Sequence, residues 1–142
     1  MADSYILIAE DDSDDRFLLQ AAFEENGFQD KLHFTENGIE LMSFLQSVQT
    51  SGGAQGLPRF ILLDLNMPKK DGREVLKELK EDIVLKKIPI VVFSTTNSEH
   101  EMNHCYELGA NSYITKPNSF EALMQTIANL RNYWMQTSNT PL

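Results

Sequence analysis

Four places in the sequence set polar, chemistry-bearing residues where an apolar run stops. Tyr5–Ala9 runs into Glu10, Asp11 and Asp12, and Phe60–Leu63 stops on Asp64. The run over 88–93 gives way to Ser94, Thr95 and Thr96, and the short segment 111–115 ends at Lys116. A charged side chain is out of place in a buried strand, so each of these residues either caps a turn or belongs to a site. Singly, each has an ordinary reading: Asp64 as a helix cap or turn residue, Ser94 as a strand end, Glu10 as first-turn acid, Lys116 as a solvated lysine before a proline. Jointly they suggest chemistry. Clustered carboxylates repel one another, a cation is the natural remedy, and an all-oxygen donor set points to Mg²⁺ or Mn²⁺. Such a set can move a phosphoryl group onto a carboxylate. Asp64 would be the nucleophile, while the metal, Lys116 and the Ser94 hydroxyl would meet the oxygens on which charge develops. A cis Lys116–Pro117 bond would aim the lysine inward.

The elements that must position these residues alternate along the chain. Continuous apolar runs at 5–9, 60–63 and 88–93, a weaker alternating run at 31–36 and a short one at 111–115 read as strands. Between them lie helical patterns. Residues 13–27 are headed by Asp12 or Ser13 as cap and close at Asn26-Gly27. Leu41, Phe44, Leu45 and Val48 share one helical face, as do Val75, Leu76 and Leu79. Ser98 and Glu101 stand in capping-box spacing before a helix that closes at Gly109. Phe120, Leu123, Met124, Ile127, Leu130 and Trp134 define the last helix. The glycine-rich stretch 51–59 reads as a surface loop. Five strands alternating with five helices imply an α/β fold with a parallel sheet covered on both faces. In such a sheet the site lies beyond the carboxyl ends of the strands, where the strand order reverses. If the first and third strands are neighbours, the acids at their ends meet on one rim.

Composition narrows the function classes. The chain has 142 residues with 12 Lys plus Arg against 21 Asp plus Glu, a formal charge of −9, and no basic stripe, which disfavours nucleic acid. A single cysteine excludes an internal disulfide and a cysteine-cluster metal site. No apolar run approaches a membrane span, and the acidic start is unlike a signal peptide, so a cytoplasmic location is the expectation. His33, His100 and His104 are scattered, the last two expected on a partly exposed helix face. The GxxxxGK(S/T) and GxGxxG phosphate loops are absent, as is a G-x-S-x-G elbow. No second aspartate stands two residues beyond Asp64, and the acidic segment after the first strand is the electrostatic opposite of a flavin phosphate loop.

The motifs "ILIAEDD", "ILLDLNMPKKDG", "IPIVVFS" and "LGANSYITKP", in that order, resemble the receiver domain of two-component response regulators over nearly the full chain. The spacing agrees: 30 residues separate Asp64 from Ser94, and 52 separate Asp64 from Lys116. The resemblance implies a flavodoxin-like (βα)5 fold with sheet order 2-1-3-4-5, an order the chemotaxis receiver also has. It implies Asp64 as phosphoacceptor, with Asp11 binding the metal directly, Glu10 through water, and the carbonyl of Asn66 as a further ligand. Ser94 matches the hydroxyl that moves toward the phosphoryl group, Lys116 the family's lysine, and Tyr113 the aromatic switch that turns inward when that hydroxyl shifts. Asn66 and Thr96 would influence the water that hydrolyses the acyl phosphate. Glu10 replaces a second aspartate and Thr95 a more usual alanine.

"LLDLNMPKKDGREVL", "KKIPIVVFSTT" and the ending "NYWMQTSNTPL" look like the stand-alone regulators paired with phytochrome-type histidine kinases. The implied partner is therefore a sensor histidine kinase, followed by a downstream protein or phosphotransfer partner. Output would run through the face of the fourth helix, fifth strand and fifth helix, which is also the expected surface for any homodimer. Trp134 is a candidate for the core, and Tyr133, Trp134 and Met135 together are a candidate dimer or kinase surface. A single receiver over 1–142 is expected, its core about 4–136 and a tail at 137–142, with no output domain. Rival readings are a phosphorylation-independent docking module, a phosphorelay intermediate, or a small enzyme on the same architecture.

Overall fold

The computed structural model describes residues 4–50 and 56–137. Its elements are β1 (Tyr5–Ala9), α1 (Ser13–Glu25), β2 (Lys31–Thr35), α2 (Gly38–Thr50), β3 (Phe60–Leu63), α3 (Gly72–Glu81), β4 (Ile90–Ser94), α4 (Glu99–Glu107), β5 (Ser112–Thr115) and α5 (Phe120–Asn132). All five strands pair in parallel in the order β2-β1-β3-β4-β5. This is the flavodoxin-like (βα)5 sandwich, and its order reverses between β1 and β3.

The unbroken apolar runs follow from burial on both faces. Tyr5, Leu7, Ile61, Leu63, Ile90 and Val92 face a core shared with α2, α3 and Cys105 of α4. Ile6, Ile8, Phe60, Leu62, Val91 and Phe93 face the opposite core, filled by Leu19, Ala22 and Phe23 of α1 and Leu123, Ile127 and Leu130 of α5. Each such side chain contributes about 1.5–3 kcal/mol by leaving water. The edge strands are less buried, which is why β2 reads as an alternating pattern.

Helix ends follow the caps. Asp12 accepts from the N–H groups of Asp14 and Asp15, and α1 closes at Asn26-Gly27, where Gly27 has φ +77°. Asp71, Ser98 and Ser119 cap α3, α4 and α5 through their side chains. Glu101 does not turn back to complete a box with Ser98, because its carboxylate pairs with Arg73 of α3. α4 is the most lightly held helix, with Cys105 its one fully buried residue.

Other details also differ from the sequence reading. β4 starts at Ile90 rather than 88, because Ile88 closes a 3₁₀ turn over Leu85–Lys87 and Pro89 has no N–H to give the ladder. Phe120 shares the period of α5 but stands at its first position, 36 % exposed, where no core reaches it. After Asn132 the helix loosens into a π turn over Tyr133–Thr137. There Trp134 and Met135 lean on the core while Tyr133 stays exposed and meets Trp134 edge-on. The expected loop at 51–59 and tail at 137–142 lie outside the described residues at 51–55 and 138–142.

Candidate functional site

The register Ala9↔Leu63 makes Glu10 and Asp64 the next opposed pair past the ladder, and the Asp64 N–H donates to the Ala9 carbonyl at 3.1 Å. Both continue the parity of the residues facing α1 and α5, so both carboxylates arrive on that side of the rim. Asp11 joins them. One carboxylate oxygen from each of Glu10, Asp11 and Asp64 lies within 4.8 Å of the others. Glu10 and Asp64 are only 2 % and 7 % exposed, whereas Asp11 is open to solvent.

Lys116 arrives from the end of β5. Its N–H donates to the Ser94 carbonyl at 2.8 Å, which extends the β4–β5 pairing by one step. Its ammonium lies 2.7 Å from Glu10 Oε1, 3.2 Å from Asp15 Oδ2 and 3.6 Å from Asp64 Oδ2. No described peptide bond is cis, so a cis Lys116–Pro117 bond has no part in this: the ladder itself aims the lysine inward.

The electrostatics follow from burial and from numbers of charges. Burial pushes the Glu10 carboxyl up from 4.5 to about 7; the Lys116 hydrogen bond opposes this and the neighbouring Asp64 charge adds to it. Burial also raises Asp64, against the pull of the Lys116 charge. Burial works against the Lys116 ammonium, yet its hydrogen bond to Glu10 and the charges of Glu10, Asp64 and Asp15 outweigh that and raise it. One ammonium thus serves Glu10, Asp15 and Asp64, with Asp11 beside them unneutralised. A divalent cation suits such a donor set: hard oxygen ligands, an excess of negative charge, and two carboxylates too buried for water to screen.

The loop after Asp64 is held tightly. Asn66 is exposed and donates its N–H toward Asp64 Oδ1 at 3.4 Å. Lys69 takes φ +67° inside a three-residue turn closed by Lys70 N–H to the Pro68 carbonyl at 2.7 Å. This left-handed backbone stores of order 1–3 kcal/mol. Gly72 is needed for close approach: a Cβ there would lie 2.4 Å from the Asp64 carbonyl oxygen.

Ser94 is fully buried at the end of β4, and its Oγ accepts from the Thr96 N–H at 3.2 Å. Tyr113 donates its hydroxyl to the Thr96 carbonyl at 2.7 Å, while its own N–H donates to Tyr106 Oη at 3.0 Å. The two residues are therefore linked through Thr96. His100 and His104 are exposed on α4. Sequence reasoning missed Asp15, whose position in a first helical turn already accounts for an acid, and Arg16, which donates to the Glu10 carbonyl at 2.8 Å. Nothing in their spacing distinguishes them from ordinary helix-start residues.

A parallel sheet of this order with an acidic cluster and a lysine at its reversal point defines a receiver-type α/β domain. Residues 6–128 match the family model for the response regulator receiver domain, and the chain belongs to that family. It is 38 % identical over 138 residues to response regulator Rcp1 of Synechocystis sp., covering 96 % of this chain and 92 % of the relative. It is 37 % identical to "Probable methanogenesis regulatory protein FilR2" of Methanothrix harundinacea, covering 96 % of this chain and 86 % of that one. Among solved structures, the phosphorylated cyanobacterial phytochrome response regulator RcpA superposes with a TM-score of 0.88 at 38 % identity, covering 99 % of this chain and 100 % of that one. A Mn²⁺-bound response regulator Rcp1 does so with a TM-score of 0.85 at 36 % identity, covering 98 % and 99 %. The chain is thus a receiver domain with the family's acidic phosphoacceptor cluster, closely related to the phytochrome response regulators. No described helix is long and apolar enough to cross a membrane.

Proposed function

We propose that Asp64 accepts a phosphoryl group from the phosphohistidine of a sensor histidine kinase. A carboxylate oxygen of Asp64 forms the new bond to phosphorus in line with the breaking N–P bond, whose electron pair leaves on the imidazole nitrogen. The observation that carries this reading is the placement of Asp64: a carboxylate at the mouth of the sheet's reversal point, 3.6 Å from an ammonium and grouped with Glu10 and Asp11. Glu10, Asp11, Asp64 and the Asn66 carbonyl would hold Mg²⁺, with Mn²⁺ a competent substitute. When bound, the metal supplies charge neutralisation on the phosphoryl oxygens. Lys116 contributes a second positive charge from the β5 side, and Ser94 a hydroxyl from the end of β4.

Signalling is a population shift: charge added at Asp64 draws Ser94 and Lys116, and Tyr113 follows through Thr96. The surface so altered is the α4-β5-α5 face, and a downstream protein or phosphotransfer partner reads it. The weak anchoring of α4 supports this choice, because lightly buried elements are the ones that move at low cost. A kinase of phytochrome type is the partner we infer, on the likeness to RcpA along the whole chain. The test is intact mass after incubation with Mg²⁺ and acetyl phosphate. Wild type gains one phosphoryl group; Asp64→Asn, or wild type with EDTA, gains none. Equal labelling of the variant refutes the assignment, and no adduct together with no beryllofluoride binding favours a phosphorylation-independent docking module.

A further inference from the structure

Asp15 stands at the third position of α1, after the Asp12 cap. From that position an acidic side chain ordinarily turns back to the N–H of the cap residue. In this protein the Asp12 N–H donates to Glu10 Oε2 at 3.2 Å instead. The Asp15 carboxylate faces the other way and accepts from Lys116 Nζ at 3.2 Å, across 101 residues of sequence. The ammonium is closer to Asp15 than to Asp64, which it faces at 3.6 Å. A small cavity of about 60 Å³, lined by Asp15, Leu18, Phe93, Lys116 and Pro117 among others, adjoins the contact and leaves the lysine room to shift.

We propose that Asp15 is a positioning residue that holds Lys116 on the α1 side of the site, in competition with the phosphoryl group. This rests on the reading of Asp64 as acceptor. Once Asp64 carries a phosphoryl group, its new oxygens require the same ammonium, so Lys116 gives up Asp15. Whatever free energy the Asp15–Lys116 contact contributes is then present only in the unmodified state and opposes phosphorylation. The Asp15 charge also repels the incoming phosphoryl oxygens. Both effects have the same sign. Asp15 therefore acts as a brake that keeps the domain unmodified until a donor is presented.

The test compares wild type, Asp15→Asn and Asp14→Asn in beryllofluoride affinity at saturating Mg²⁺, with acetyl phosphate labelling rates alongside. Asparagine keeps the shape of residue 15 and removes its charge. Asp14 is exposed on the same helical turn and does not touch Lys116, so it controls for loss of an acid as such. Asp15→Asn should bind beryllofluoride roughly three- to fivefold more tightly and label correspondingly faster, as expected for a partly exposed ion pair. Asp14→Asn should stay within about twofold of wild type, its charge being solvated. Equal affinity of Asp15→Asn and wild type, or an equal gain in both variants, overturns the proposal and leaves Asp15 as ordinary first-turn acid. Wild type that neither binds beryllofluoride nor labels removes the acceptor reading itself.

Discussion

Alanine at position 72 probes how closely the start of α3 is pressed on the acceptor strand. Its Cβ would lie 2.4 Å from the Asp64 carbonyl oxygen and 2.7 Å from Leu65 Cα. Carbon and oxygen normally approach to about 3.3–3.6 Å, so the backbone must separate by roughly 1 Å. Both obstacles are main-chain atoms, and no side-chain rotation relieves them. Overpacking of this kind costs about 1–3 kcal/mol, and rigid neighbours place it at the upper end. Alanine returns about 0.4–1 kcal/mol by restricting the unfolded chain, since Gly72 is not among the glycines with positive φ. The net expectation is a loss of about 2 kcal/mol in urea unfolding. Because the displaced peptide carries Asp64, acetyl phosphate labelling should slow by about tenfold or more. Gly27→Ala is the contrast: φ is +77° with no atom within 4 Å of the added carbon. It should cost about 1 kcal/mol in backbone strain and leave labelling unchanged. A Gly72→Ala protein within about 0.5 kcal/mol of wild type and labelling at the same rate would refute the close-approach argument.

Glu10 gives the pH dependence. Its folded value of about 7 lies above the ordinary 4.5, so in that window the folded protein binds more protons than the unfolded one. In EDTA, the Glu10 contribution to stability should therefore fall as pH rises from 4.5 through about 7, so the urea midpoint of wild type should decline relative to that of Glu10→Gln over that window; a wild-type midpoint that climbs relative to the variant contradicts this. His33 is stacked on Phe44 at 4.0 Å, and burial followed by the Lys31 charge lowers its pKa below 6.5. Its ring carbon resonances should titrate below 6.5, and its share of stability should be lost as pH drops through that lowered value. Tyr113→Phe deprives the Thr96 carbonyl of its 2.7 Å donor and should cost about 1 kcal/mol in urea unfolding, with no cost if the hydroxyl is solvated instead.

Much of this architecture is legible from residue types. "FILLD" declares a strand buried on both faces that ends in chemistry, and the sheet order then brings Asp64 beside Glu10. What the sequence conceals depends on long-range contact. Asp15 and Asp14 are indistinguishable as first-turn acids until the fold carries Lys116 to one of them. Gly72 is required by a backbone-to-backbone approach and not by a special φ, which its neighbours in the sequence do not disclose. The π turn at Tyr133–Thr137 is hidden because Trp134 keeps the apolar spacing of α5. Phe120 is the converse case: periodicity assigns it to the core, but periodicity carries no information about where a helix first meets its neighbours.

The central claim is that one particular carboxylate, Asp64, takes the phosphoryl group. Borohydride reduces an aspartyl phosphate to homoserine, so the direct measurement is peptide mass mapping of the labelled protein after reduction. The account predicts homoserine at position 64 and unmodified Glu10, Asp11 and Asp15. Homoserine at position 11 or 15 with Asp64 intact, or a phosphoryl group on histidine or serine that survives reduction, would contradict it.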